Sequence, residues 1–347
     1  MEKEYVLKFA KELLKIDSPT GYTRKAIDFV KQEVEGMGYH TEKNHKGNLL
    51  IYVDGKNPDK TIGLCAHCDT LGLMVRSIKS DGKLALTNIG GPIIPTLDGE
   101  YCRIHTRSGK VYTGTILSTS PAAHVFKDAS SKTREIDQME VRIDEVVKSA
   151  EDTKKLGIAN GDFVAIDPKV QITESGFIKS RFLDDKISAA SLVGVLHHLK
   201  ENHLTPANNL IIMMSTYEEV GHGMAHIPSQ ISELLAVDMG CIGLDLACSE
   251  QDVSICAKDS SGPYDYDMTT RLIELAKREN LSYAVDIYPQ YGSDVSAARS
   301  AGNDIKGALI GPGVHASHGM ERTHYDGVEN TMKLILAYIL EENVYEA

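Results

Sequence analysis

A chain of 347 residues, 42% of them apolar and 25% charged, can bury a large core and has the length of one large domain or two ordinary ones. Its formal charge of -12 argues against a nucleic-acid partner, because neutralising a phosphate backbone takes clustered Lys and Arg, and no such run occurs. No window approaches the roughly 20 apolar residues that a membrane span requires, and six cysteines in a chain this long are no disulfide scaffold.

The start, MEKEYVLKFAKELL, is charged and amphipathic without a signal peptide's apolar block, so the expected location is cytoplasmic with reduced thiols. Residues 2–15 and 23–36 repeat apolar positions at helical spacing, the second run closing at Gly36 and Gly38. NLLIYVDG and KTIGLCAH then read as strands, which puts His67 and Asp69 where a strand ends. From Gly72 to Asp167 the texture changes to short strand-like runs between Gly, Pro and Asp turns, with one helical stretch, SAEDTKKLG. Helix and strand alternation resumes at DDKISAASLVGVLHHLK and continues to a last helix, GVENTMKLILAYILEE, residues 327–342. The expected fold class is α/β, an open mixed sheet flanked by helices, formed by residues 1–71 and 168–347. A small β-rich domain, residues 72–167, is inserted in it.

Candidate chemistry stands at the carboxyl ends of the expected strands, where open α/β sheets bind ligands. His67 and Asp69, Asp184 and Asp185, Glu218 and Glu219, Asp238, and the HASHGMERTH cluster with His315, His318, Glu321 and His324 all fall there. Adjacent buried carboxylates repel one another and resist desolvation, a conflict that divalent cations resolve. Two cations sharing one bridging carboxylate would account together for His67, Asp184, Glu219, Asp238 and His318, leave one Glu of the pair free as a base, and activate water for hydrolysis. Asp69, two residues past His67, is expected to accept the imidazole's other N–H.

Structural alternatives exist for each. Cys65 and Cys68 form a Cys-x-x-Cys pair, but a redox motif would open a helix and a zinc ribbon needs a second pair that Cys102, Cys241, Cys248 and Cys256 do not supply. They read as a buried strand residue and its neighbour. Asp185 suits a helix cap, and His197, His198, His222 and His226 suit structural or surface roles. No role is readable for Thr70, His315, Glu321, Arg322 or His324.

The ordered segments AHCDT, LDDK, TYEEVG, AVDMG and ASHGMERTH, with a β-rich insertion after the first, resemble the tetrahedral and glutamyl aminopeptidases, dinuclear metallo-enzymes with some relatives labelled endoglucanase. The resemblance implies that His67 and Asp238 hold one divalent ion, that Glu219 and His318 hold the other, and that Asp184 bridges them. Zinc is the first expectation, with cobalt or manganese as alternatives. It further implies that Glu218 takes the proton of the attacking water and returns it to the departing amine, that the bond after Asp184 is often cis, and that Asp294, in YGSDVSAA, contacts substrate. The partners implied are peptides and further copies of the chain, as dimers or a twelve-subunit shell built through the inserted domain. Thr70 replaces a common Glu, and VHASHG replaces an Arg-Tyr-x-His-Ser pattern, so the substrate preference is expected to be this chain's own. Other enzyme readings are a glycoside hydrolase, disfavoured by the absence of Trp and by 6% aromatics, and an amidase or carboxypeptidase on the same two ions. A metal-storing scaffold is the non-enzyme alternative.

Overall fold

The computed structural model describes residues 3–341. Glu2 and Glu342, the outer residues of the first and last expected helices, lie outside them. Helices α1 (Lys3–Lys15) and α2 (Arg24–Gly36) each bury one stripe, Val6, Phe9, Ala10, Leu13 and Leu14 on the first and Ala26, Ile27, Val30 and Val34 on the second. Strands β1 (His40–Lys43), β2 (Leu49–Val53) and β3 (Asn57–His67) follow.

The chain then leaves β3 for a closed six-stranded barrel. Its members are β4 (Gly72–Ile78), β5 (Leu84–Ile89), β6 (Tyr101–His105), β7 (Val111–Ser118), β8 (Met139–Ile143) and β9 (Phe163–Ile166), joined in the order β4-β5-β8-β7-β6-β9. All its pairings are antiparallel, and closure leaves no strand edge unpaired. Between β8 and β9 lies the short α3 (Ala150–Lys155), capped by the Ser149 hydroxyl accepting the Asp152 N–H.

β10 (Gln171–Ile172) and β11 (Phe177–Ser180) lead back to the body, followed by α4 (Leu183–Glu201), β12 (Asn208–Ser215), β13 (Ile231–Val237) and β14 (Gly240–Cys241). β15 (Val253–Asp259), β16 (Gly262–Pro263), α5 (Tyr266–Arg278), β17 (Tyr283–Ile287), α6 (Asp294–Ser300), β18 (Lys306–Val314), β19 (Glu321–His324) and α7 (Tyr325–Leu340) complete the described chain. The body is a ten-stranded mixed sheet in the order β1-β2-β12-β3-β13-β18-β15-β16, with β14 beside β18 and β17 beside β15. The α/β class expected from the sequence is the class observed.

Four central strands, β12, β3, β13 and β18, run parallel, with Ser215 opposite His67 and Val237 opposite Ile310. They are buried on both faces, as parallel strands are when helices cover the sheet. Leu64, Ala66, Ile212 and Ile310 join the core under α1, α4 and α7, while Cys65, Met213 and Leu309 join the one under α6. Cys65 is thus a buried strand residue, and all six thiols are free. Because the four strands are parallel, their carboxyl ends share one edge of the sheet, and the segments carrying His67, Glu218, Asp238 and His318 all leave from that edge.

Candidate active site

His67 ends β3 and is 1% exposed. Its Nδ1–H donates to the main-chain oxygen of Asp69 at 2.9 Å, an atom that can only accept, so the neutral ring keeps a lone pair on Nε2. Nε2 faces Asp184 Oδ1 at 3.1 Å and Glu218 Oε2 at 3.7 Å. The Asp69 carboxylate does not take the role expected of it. It lies 3.6 Å from Nδ1 and accepts instead the Thr20 hydroxyl at 2.7 Å and the N–H groups of Glu218 and Glu219 at 3.2 and 3.3 Å. The strand has ended at His67, so side chains no longer alternate and the Asp69 carbonyl turns to the ring.

Glu218 and Glu219 form a single 3-10 turn that closes on Gly221, whose φ of 82° suits glycine. Asp184 and Asp185 are joined by a cis peptide bond and have non-helical backbone at the start of α4. Asp185 is not a surface cap. It is fully buried, and its Oδ2 accepts the His67 N–H at 3.2 Å.

His318 sits at φ 64° in the loop after β18. Its Nδ1–H donates to the Gly91 carbonyl at 2.9 Å, so Nε2 again keeps its lone pair, facing Asp184 Oδ2 at 3.6 Å and Glu219 Oε2 at 3.7 Å. Glu321, 2% exposed, accepts the Asp184 N–H at 3.0 Å on one oxygen and the His318 N–H at 3.0 Å on the other. Arg181, 3% exposed, donates to the Gly319 carbonyl at 3.1 Å and to the Thr96 carbonyl at 2.7 Å, tying the His318 loop to the barrel segment after Gly91.

The electrostatics of this group are one-sided. Among the described residues, no Lys or Arg lies within salt-bridge distance of Asp184, Asp185, Glu218, Glu219 or Asp238. Burial and then the charge of Asp184 push the Asp238 carboxyl up to about 7. Burial, followed by neighbouring carboxylates, carries Glu218 and Glu219 well above the usual range. Burial also opposes the charged form of His67, but Asp184 and then Glu218 outweigh it and raise the ring well above its ordinary value. Asp184 alone is lowered, burial being overcome by His67.

The raised carboxyls and the raised His67 ring call for positive charge in the middle of the group. Ligand atoms of His67, Glu218 and Asp238 lie within 4.8 Å of one another, as do those of His67, Asp184 and Glu219. Two donors about 2.1 Å from one tetrahedral ion stand about 3.4 Å apart, which matches the contacts of His67 and His318 with the carboxylates. Glu219 Oε1 is buried with no hydrogen-bond partner, and both Nε2 atoms face carboxylate oxygens of the group. The residues therefore fit divalent cations.

Beside the group opens a cavity of about 590 Å³, lined by Asp184, Glu218, Glu219, Asp238 and His318 and by residues of α6. Asp294 does not reach it. Its carboxylate, 3% exposed, is engaged by the Ser215 hydroxyl and by the Met224 N–H at 2.9 Å, so the expected substrate contact gives way to an anchoring role beneath the wall. His324 caps α7 and Arg322 pairs with Glu250, both away from the acids. The contacts of Glu321, Asp185 and Arg181 were not legible in the sequence, since they run to backbone groups, and Arg181 was not among the candidates.

The profile of the family described as M42 glutamyl aminopeptidase matches residues 47–334. The chain belongs to that family. This M42 chain is 46% identical to the Bacillus subtilis protein named "Putative aminopeptidase YhfE", over 96% of each chain. Its fold is that of a TET aminopeptidase from the marine sediment archaeon Thaumarchaeota archaeon SCGC AB-539-E09, with a TM-score of 0.88, 19% identity and 98% of each chain covered. The TET1 peptidase of Pyrococcus horikoshii, described as assembling into a tetrahedron or a large octahedral shell, superposes with a TM-score of 0.85 at 21% identity, over 97% of this chain and 99% of that one.

Proposed function

We propose that this M42 peptidase is a two-metal aminopeptidase, that His67 and Asp238 hold one ion and Glu219 and His318 the other with Asp184 between them, and that Glu218 is its base. The observation that carries this reading is the convergence of two imidazoles, each with its Nε2 turned inward, on carboxylates that have no Lys or Arg beside them among the described residues. Bound there, two divalent cations neutralise the carboxylates, polarise a peptide carbonyl and lower the pKa of water. Zinc, cobalt and manganese all suit the nitrogen and oxygen donors.

Glu218 lines the cavity, and burial with like charges raises its proton affinity. That suits a group that takes a proton from the attacking water and delivers it to the departing amine. Asp69 supports this role by fixing the backbone of both Glu218 and Glu219. A base removed without loss of the ions should cost turnover and nothing else. Glu218→Gln is expected to keep both metal equivalents by elemental analysis while kcat falls about a thousandfold on an aminoacyl substrate. Loss of an ion in that variant would make Glu218 a ligand instead.

The same reading takes peptides as substrates and further copies of this chain as partners. Exposed Val125, Phe126 and Val146 on the barrel offer apolar surface for self-association, which light scattering on the purified protein would test.

A further inference from the structure

Besides the acid group, the cavity is walled by α6 and the turn that follows Glu219. The side chains presented there are Ala225, Ala297, Ala301, Ser296, Ser300 and Gln290, none of them charged. Tyr291 also lines it, its hydroxyl donating to the Met239 carbonyl at 3.1 Å. Two cations of this region point elsewhere. Arg299, on α6, donates to the Pro263 carbonyl, and Lys46 donates to the His222 carbonyl.

Behind the wall lies one more charge. Asp259 is fully buried and accepts the hydroxyls of Tyr264 at 2.8 Å and Ser296 at 2.6 Å. Burial works against its ionisation, but these hydrogen bonds and those of Ser261 win, and it stays a carboxylate. Ser296 gives its proton to Asp259 and accepts the Ser293 N–H at 3.3 Å, so its hydroxyl is tied into the wall. What the wall offers a ligand is therefore methyl surface, the Ser300 hydroxyl and the Gln290 amide, with a negative charge at its back.

We infer that this wall receives the side chain of the substrate's first residue and selects an apolar one, such as Leu, Met or Phe, against Glu and Asp. The inference rests on the aminopeptidase reading above. An acidic side chain against this wall meets no Lys or Arg and lies toward Asp259, so its desolvation is uncompensated there. A lysine meets a field of the right sign but no carboxylate on the wall itself. Small residues at 225, 297 and 301 leave the room that a long or aromatic side chain fills.

The test is the rate of p-nitroaniline release by metal-loaded enzyme from Leu, Met, Phe, Lys and Glu p-nitroanilides. The three apolar substrates should give the highest kcat/KM, with Lys about tenfold lower and Glu at least about a hundredfold lower. Ser300 is exposed at the end of the wall, and Ser300→Arg should raise the Glu-to-Leu ratio by about tenfold or more by supplying the missing cation. Glu turned over as well as Leu by the unaltered enzyme, or a ratio unmoved in Ser300→Arg, would overturn the assignment of this wall and leave the aminopeptidase reading standing. Failure on all five anilides with cleavage of peptides blocked at their amino end would remove the aminopeptidase reading itself.

Discussion

At the junction of barrel and sheet, half-buried Asp17 lies beside Arg103 and His105, whereas at the carboxyl edge of the sheet Asp184 and Asp238 are buried and half-buried Glu219 lies with them. Arg103 grips Asp17 with both ends of its guanidinium at 2.7 and 2.6 Å, and His105 Nε2–H adds a third donor at 2.8 Å. Burial would raise that carboxyl, but His105 and Arg103 outweigh it and hold it at about 2. At the sheet edge burial has the same sign with no such counterweight, and Asp238 stands near 7. One cluster carries its cations in the sequence. The other is a set of acids and imidazoles with no Lys or Arg among them, and that difference separates a structural clasp from a candidate reaction centre.

The sharpest way to break this comparison is to remove the shared carboxylate. Asp184→Asn should lose both ions by elemental analysis and lower kcat/KM by at least about a thousandfold, the several kcal/mol expected of metal assistance. A variant retaining two ions and near-normal turnover would mean that Asp184 bridges nothing. A smaller effect is expected one layer out. Glu321 accepts two backbone N–H groups with its two oxygens, and Glu321→Gln would turn an amide N–H2 against one of them. Metal affinity measured against a chromophoric chelator should fall by about 10- to 100-fold. Unchanged affinity would show that Asp184 and His318 hold their places without it.

The acid edge was legible in the sequence because its residues follow strand-forming runs, and parallel strands bring such residues together whatever the loops do. His67, Glu218, Asp238 and their neighbours needed only that rule. The β-rich texture between Gly72 and Asp167 was legible from its turns, and the strands of the closed barrel run from Gly72 to Ile166. Less was legible wherever a contact runs through backbone atoms. Nothing in the residues near Gly91 says that its carbonyl will fix the His318 ring, and nothing in Asp69 says that its carbonyl rather than its carboxylate will meet His67. The Asp17 clasp was missed for another reason. Its partners lie 86 and 88 residues away on a barrel strand, and an ion pair at that separation has no sequence spacing to announce it.

That clasp gives the mildest test, and its pH dependence has the opposite sign to that of the acid edge. Asp17 is lower in the folded protein, at about 2, than its ordinary 3.8, so its contribution is present above pH 3.8 and is lost as pH falls through 2. Asp17→Asn should cost about 2 kcal/mol at pH 7, shrinking to about half of that at pH 3, by urea unfolding at each pH. Asp238 is raised, so in metal-free protein its contribution is present below pH 3.8 and is lost as pH rises through 7. Chelated protein should therefore fall further behind metal-loaded protein between pH 4 and about 8, the range in which the Asp17 effect is already flat. A metal-dependent gain that shrinks as pH rises would contradict the view that the edge carboxylates await cations, while a constant Asp17→Asn effect from pH 3 to 7 would take the clasp's energy from packing instead of charge.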